Sequence, residues 1–77
     1  MGTPSESAEP LLTIQLNGES NTCPQGLTVH AALGHWSLNP RLVAVEYNGE
    51  ILHRQFWETT PVKMGDRFEI VTIVGGG

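Results

Sequence analysis

Arg67-Phe68-Glu69-Ile70-Val71-Thr72-Ile73-Val74 is the stretch on which the fold turns. Beyond Glu69 it is almost entirely apolar, which suits a strand buried on both faces and so predicts a central strand with a neighbour on either side. An unbroken apolar run carries no alternation, so its register past Ile70 stays open. Upstream, Lys63 to Asp66 reads as the turn that feeds the strand, and Pro61 breaks the mixed stretch holding Phe56 and Trp57. Downstream the strand runs straight into Gly75, Gly76 and Gly77, and a run without side chains predicts a flexible end.

Two Asn-Gly pairs supply the partners for that strand. Leu12, Ile14 and Leu16 alternate with Thr13 and Gln15, the period of a half-buried strand, and Asn17-Gly18 follows at once. Asn-Gly provides the positive φ angles of a type I′ turn, so Leu11 to Leu16 is predicted to fold back on Glu19 to Cys23, with Pro24 as the stop. Val43, Val45 and Tyr47 repeat the alternation, and Asn48-Gly49 turns the chain into Glu50 to Leu52 as a second hairpin.

Between the hairpins, Thr28 is a fitting N-cap. Val29, Ala32, Leu33 and Trp36 then fall at i, i+3, i+4 and i+7, one apolar stripe along a short helix. Gly34 costs about 1 kcal/mol inside it, and the helix is expected to end before Asn39-Pro40. Hairpin, helix, hairpin and last strand make an α+β fold, a mixed sheet with one helix across one face. The predicted organisation is a disordered tail over residues 1–10, a folded domain over 11–74 and a flexible glycine tail over 75–77. The first segment has two Ser, two Glu and two Pro, too little apolar surface to offset its ordering entropy.

Seventy-seven residues leave room for one small domain. Four Lys and Arg against eight Asp and Glu give a net charge of -4, which opposes the basic footprint demanded by nucleic acid or anionic membrane. No apolar run is long enough to span a bilayer, and Met1 to Pro10 lacks the pattern of a signal peptide. A single cysteine, Cys23, excludes an internal disulfide framework, so a reducing cytoplasm is the expected compartment.

The candidate chemistry lies at the end of the chain. Glycine lacks Cβ, so an extended Gly75-Gly76-Gly77 can enter a narrow channel, and a carboxylate on Gly77 can attack the α-phosphate of ATP to give an activated acyl adenylate. The same composition also fits a flexible tail or linker. Other candidates read as structural. Cys23 has no basic neighbour in sequence to make a thiolate and is expected as a small buried hydrophobe. His30 and His35 stand five apart, on different helix faces, with no cysteine pair to complete a metal set. Trp36, Trp57 and Phe56 can form a partner patch, although aromatics in so small a domain usually fill the core; Trp36 is assigned there and Trp57 is left open. Asp66 and Glu69 read as a turn residue and an exposed strand residue rather than paired catalytic carboxylates.

From Leu11 to Gly77 the sequence resembles the ThiS family, the ubiquitin-like β-grasp sulfur carriers of thiamine biosynthesis. The resemblance is carried by Ile14 to Gly18, by Gly26-Leu27-Thr28-Val29, by Val43 to Ile51 (VAVEYNGEI), and by Gly65 to Val71 (GDRFEIV) running into Thr72-Ile73-Val74-Gly75-Gly76-Gly77. Arg54 and Trp57 fall where the family often carries Arg and Trp. A longer N-terminal segment and Gly34 within the helix depart from the family pattern without touching the chain end.

The resemblance implies a carrier with no catalytic acid, base or nucleophile and no bound cofactor. Gly77 would be adenylated by an E1-like enzyme of the ThiF type, which uses MgATP, while Val74, Gly75 and Gly76 would thread that partner's channel. A cysteine desulfurase or other sulfur donor would convert Gly77 to a thiocarboxylate, and a ThiG-type thiazole synthase would take the sulfur. Two alternatives stand beside it: the small subunit of a molybdopterin-type synthase, which shares the chemistry, and a noncovalent β-grasp interaction module in which the glycines are incidental.

Overall fold

The computed structural model describes residues 10–73, so the expected disorder of residues 1–9 and the glycine tail with Val74 lie outside the described residues. Strand β1, Leu11–Leu16, pairs antiparallel with β2, Glu19–Pro24, from Leu11 opposite Pro24 to Leu16 opposite Glu19. Asn17 and Gly18 between them take φ values of 52° and 82°, the two positive angles that a type I′ turn requires. Pro10, just before β1, is already tied down: its carbonyl accepts the Gln25 N–H at 3.0 Å.

Helix α1, Val29–His35, buries the face that carries Val29, Ala32 and Leu33. The N–H groups of its first turn, Val29 to Ala32, are all satisfied, and only the last of them by the helix's own backbone ladder. Val29 and His30 donate to the carbonyls of Thr60 and Trp57 at 2.8 and 3.0 Å, Ala31 to Oγ1 of the Thr28 cap at 3.2 Å, and Ala32 to the Thr28 carbonyl at 2.8 Å. The helix start therefore holds the loop around residues 57–62 against the domain, and the N–H of Val62 completes the clamp by donating to the Leu27 carbonyl.

At the other end, Leu38 N–H reaches the Leu33 carbonyl at 2.9 Å and Ser37 N–H reaches the Gly34 carbonyl at 3.0 Å. This is a Schellman closure with Ser37 in the left-handed position, at φ 63°. A side chain at that φ costs about 1–2 kcal/mol, partly offset when glycine is introduced by the greater entropy of the unfolded chain. Ser37→Gly is therefore expected to stabilise the domain by about 0.5 kcal/mol, a rise of roughly 2–4 °C in Tm readable by calorimetry. A fall in Tm would show that the serine itself contributes to the cap.

After a 3₁₀ turn at Pro40–Leu42, β3, Val43–Tyr47, and β4, Glu50–Ile51, form the second hairpin around Asn48 and Gly49, at φ 53° and 91°. Leu52, expected within the last strand of that hairpin, lies just beyond it but still donates its N–H to the Val45 carbonyl. A second 3₁₀ turn, Arg54–Phe56, leads to the loop under the helix, and β5, Arg67–Thr72, closes the fold. The sheet order is β2-β1-β5-β3-β4, with β5 parallel to β1 and antiparallel to β3. This is the expected α+β arrangement, a ubiquitin-like β-grasp. No helix is long and apolar enough to cross a membrane among the described residues.

The central position of β5 is as expected, but its burial is not. Phe68 and Ile70 point into the core, while Arg67, Glu69 and Val71 face outward and Val71 is 60% exposed. The reason is the layer count: α1 covers one face of the sheet, and among the described residues no second element covers the other. The strand also ends at Thr72 rather than Val74, with Ile73 exposed.

On the covered face Ile14, Leu33, Val45 and Phe68 form the middle of the core. Trp57 joins them at 2% exposure, its indole N–H donating to the Leu52 carbonyl at 2.8 Å. Trp36 packs at the core margin, edge-on to Phe68 with centroids 5.3 Å apart. Phe56 departs from the core expected of aromatics: it is 46% exposed because the short 3₁₀ turn that carries it lies outside the helix-sheet sandwich.

Candidate functional site

The candidate site is the root of the C-terminal tail, and its rigidity is built from both sides of β5. On one side the ladder to β3 runs from Tyr47 opposite Phe68 to Val43 opposite Thr72, and Ile73 N–H donates to the Leu42 carbonyl at 2.7 Å. On the other, Gln15 N–H donates to the Asp66 carbonyl and Asn17 N–H to the Phe68 carbonyl, at 2.9 and 2.8 Å. The backbone is thus held in the sheet up to the last described residue. Gly75, Gly76, Gly77 and Val74, the residues expected to enter a partner and react, follow outside the described residues.

Both Asn-Gly turns do more than reverse the chain. Asn17 Oδ1 accepts the Ile70 N–H at 2.7 Å, just past the point where β1 ends, and Asn48 Oδ1 accepts the Arg67 N–H at 2.8 Å. Each turn therefore presents an acceptor to the strand that carries the tail. The sequence displays the turn chemistry of these asparagines; nothing in it displays the cross-strand acceptor.

Asp66 is the main departure among the candidate residues. It stands in the turn before β5, as expected, but it is buried, at 7% exposure. Its carboxylate accepts the Tyr47 hydroxyl at 2.6 Å, the Lys63 N–H at 2.7 Å and Asn48 Nδ2 at 3.1 Å. It therefore joins the turn, the second hairpin and the start of β5, a structural role rather than an acid-base one. Burial first, and then the bond to Asp66, pushes the Tyr47 phenol up to about 12. Glu69 is exposed on the outer face, as the sequence predicts.

Cys23 is fully buried, and burial, followed by the Asp66 charge, raises its thiol above the ordinary 9.0. That is the reverse of what a sulfur-bearing nucleophile needs, and the structural reading of Cys23 holds. His30 and His35 are both exposed on α1. The outer sheet face, by contrast, has no counterpart in the sequence reading. It forms a shallow groove of about 550 Å³ whose walls include Gln15, Ile51, Arg67, Glu69 and Val71, and it leads toward the end of β5.

Comparison with known proteins places this architecture. A model of the ThiS family matches residues 14–77, which includes β5 and the whole glycine run. The crystal structure of a thiamine biosynthesis protein (ThiS) from Geobacter metallireducens superimposes with a TM-score of 0.75 at 33% identity, covering 86% of this chain and 100% of that one. Among curated relatives, the "uncharacterized protein ycf40" of Porphyra purpurea is 35% identical over 66 residues, 86% of this chain and 93% of that protein. The thiazole synthase of Paramagnetospirillum magneticum is 38% identical over 66 residues, which are 86% of this chain but 20% of that protein. With the helix, the second hairpin, the central last strand, the glycine run and all of the first hairpin from Ile14 onward within the matched span, the chain belongs to the ThiS family.

Proposed function

We propose that this protein is a sulfur carrier of thiamine biosynthesis, a recycled co-substrate without catalytic machinery of its own that works in the cytoplasm. The observation that carries this reading is the family match extending through Gly77, over the stretch that follows the last described hydrogen bond of the sheet. In the proposed cycle a Gly77 carboxylate oxygen attacks the α-phosphorus of ATP within an E1-like, ThiF-type enzyme, Mg²⁺ being supplied there, and pyrophosphate leaves. Sulfide-level sulfur displaces AMP and leaves a thiocarboxylate directly. Sulfur carried as a cysteine desulfurase persulfide displaces AMP to give an acyl disulfide, which a second thiol cleaves to the thiocarboxylate, itself ending in a disulfide. A ThiG-type thiazole synthase takes the sulfur and regenerates the carboxylate. The similarity of a fifth of one thiazole synthase to this chain supports that last partner, since a carrier and its acceptor work in contact.

The structural features that support the reading are mechanical. A tail inserted into another protein needs a fixed root and a slim, extendable end, and β5 meets the first need as the glycines meet the second. The test is intact-protein mass after incubation with MgATP, a ThiF-type enzyme and a sulfide source. One oxygen replaced by sulfur, localised by fragmentation to Gly77, is the expected result. No gain, with the chain end confirmed intact and the enzyme active on a control carrier, overturns it. A gain only with a molybdopterin-type activating enzyme would reassign the pathway while keeping the chemistry.

A further inference from the structure

Away from the sheet, the helix and both 3₁₀ turns enclose a cleft of about 340 Å³ lined by His30, Pro40, Arg41, Arg54, Gln55, Trp57 and Glu58. None of these residues belongs to a strand, and none lines the groove on the outer sheet face. In a chain of net charge -4 with four Lys and Arg in all, two of the four converge here together with a histidine. Among the described residues neither guanidinium donates a hydrogen bond to a protein acceptor, and the contact of Arg54 with the Trp57 ring leaves its N–H groups without one.

The Arg54 guanidinium and the backbone of Arg41 are held in place. The Arg54 guanidinium lies over the Trp57 ring, 5.4 Å from its centroid, and Trp57 is itself fixed by burial and by its bond to Leu52. A guanidinium over an aromatic ring still has N–H groups to offer a planar, two-oxygen acceptor. Arg41 sits in the Pro40–Leu42 turn, where its backbone N–H is anchored on Asn39 Oδ1 at 2.9 Å. Beside the donors stand exposed acceptors, the Gln55 amide and the Glu58 carboxylate. A free phosphate is compact, offers at most an O–H to those acceptors and brings its whole charge close to Glu58, whereas an extended peptide can hold its carboxylates apart from it. An acidic peptide meets both halves of the cleft, its carboxylates on the arginines and its backbone N–H groups on Gln55 and Glu58.

We propose that this cleft is a docking site for an acidic peptide segment of a partner protein, separate from the tail and from the outer sheet face. The proposal goes beyond the carrier reading and does not rest on it, because no step of the tail chemistry uses a residue of the cleft.

The test is a titration of the full chain with a blocked oligoglutamate peptide, followed by amide NMR shifts and by the Trp57 indole signal, with inorganic phosphate titrated in parallel. Saturable shifts confined to the cleft residues and weakening as salt is raised are expected. The double variant Arg41→Gln/Arg54→Gln is expected to weaken binding about tenfold or more, whereas Glu58→Gln, which keeps an acceptor for the peptide N–H, is expected to change it by less than about threefold. The contrast between these two variants separates docking of carboxylates on the arginines from a general loss of structure, and unchanged melting of each variant confirms the fold. Absence of shifts in the cleft, equal binding by the double variant, or binding of phosphate with no response to the peptide would each overturn the proposal.

Discussion

A single alanine added after Gly77 is expected to abolish thiocarboxylation while leaving Tm unchanged. The added residue moves the reacting carboxylate by one extended step, about 3.3–3.6 Å, and places a methyl group where the proposed channel meets only glycine. Attack on a phosphorus atom tolerates little of that, since a misplacement of about 1 Å can already cost on the order of 100-fold in rate. Stability is a separate matter, because the sheet ladder ends at Thr72 and the Ile73 N–H makes the last described bond to Leu42. Mass spectrometry for the oxygen-to-sulfur exchange, with a melting curve on the same sample, reads both halves. Sulfur transfer retained by the extended chain would remove the carrier reading. Loss of transfer with a lowered Tm would mean that the end of the chain contributes to folding, against the ladder described here. A noncovalent interaction module would bind its partner equally well with or without the extra residue, which separates the two classes of function.

The elements that the sequence makes legible are those encoded by short-range rules. Period-two alternation marks β1 and β3, Asn-Gly marks both hairpins, and the Thr28 cap with its i, i+3, i+4 stripe marks α1; each of these depends on residues within a few positions of one another. What the sequence leaves hidden depends on distant partners. The one-sided burial of β5 follows from the presence of a single covering helix, which an apolar run cannot reveal, so Val71 reads as core and stands in solvent. The cleft residues His30, Arg41 and Arg54 come from the helix and two separate 3₁₀ turns, and only the closed fold brings them to one place. Trp57 is ambiguous in sequence because a tryptophan suits a core and a docking surface equally; its burial is decided by the Leu52 carbonyl, which gives the indole N–H a partner inside. The proposed reactive end is the opposite case: residue type, glycine after glycine, fits an insertable tail and a plain linker alike, and the family resemblance rather than packing carries the choice.

Asp66 carries the second large effect, and it is a stability effect. A carboxylate at 7% exposure that accepts from Tyr47, Asn48 and Lys63 replaces water for three donors at once. Asp66→Ala removes these acceptors and strands the donors, for which about 3 kcal/mol is the expected cost, given 1–3 kcal/mol for each buried donor left unpaired and partial access of water to the site. At 4–8 °C per kcal/mol for a domain of this size, Tm falls by about 12–24 °C. Asp66→Asn keeps the shape and one acceptor oxygen but turns an N–H₂ toward a donor, so its loss is expected to be smaller and still measurable. A change below about 0.5 kcal/mol in the alanine variant, the range of ordinary surface substitutions, would show that the three bonds do not act together. The same cluster sets an alkaline limit. Tyr47 rises from its ordinary 10.0 to about 12, so the fold favours the neutral phenol. The resulting stabilisation is fully present below pH 10 and is lost as pH climbs from 10 toward 12. Cys23, raised above 9.0, adds a loss of the same sign as pH climbs past that value. Tyr47→Phe is therefore expected to remove the phenol's share of the alkaline decline, leaving only the thiol's. Denaturant melts of both proteins at stepped pH compare the two slopes; parallel curves above pH 10 would show that Tyr47 titrates alike in the folded and unfolded chains and that its bond to Asp66 contributes nothing to the linkage.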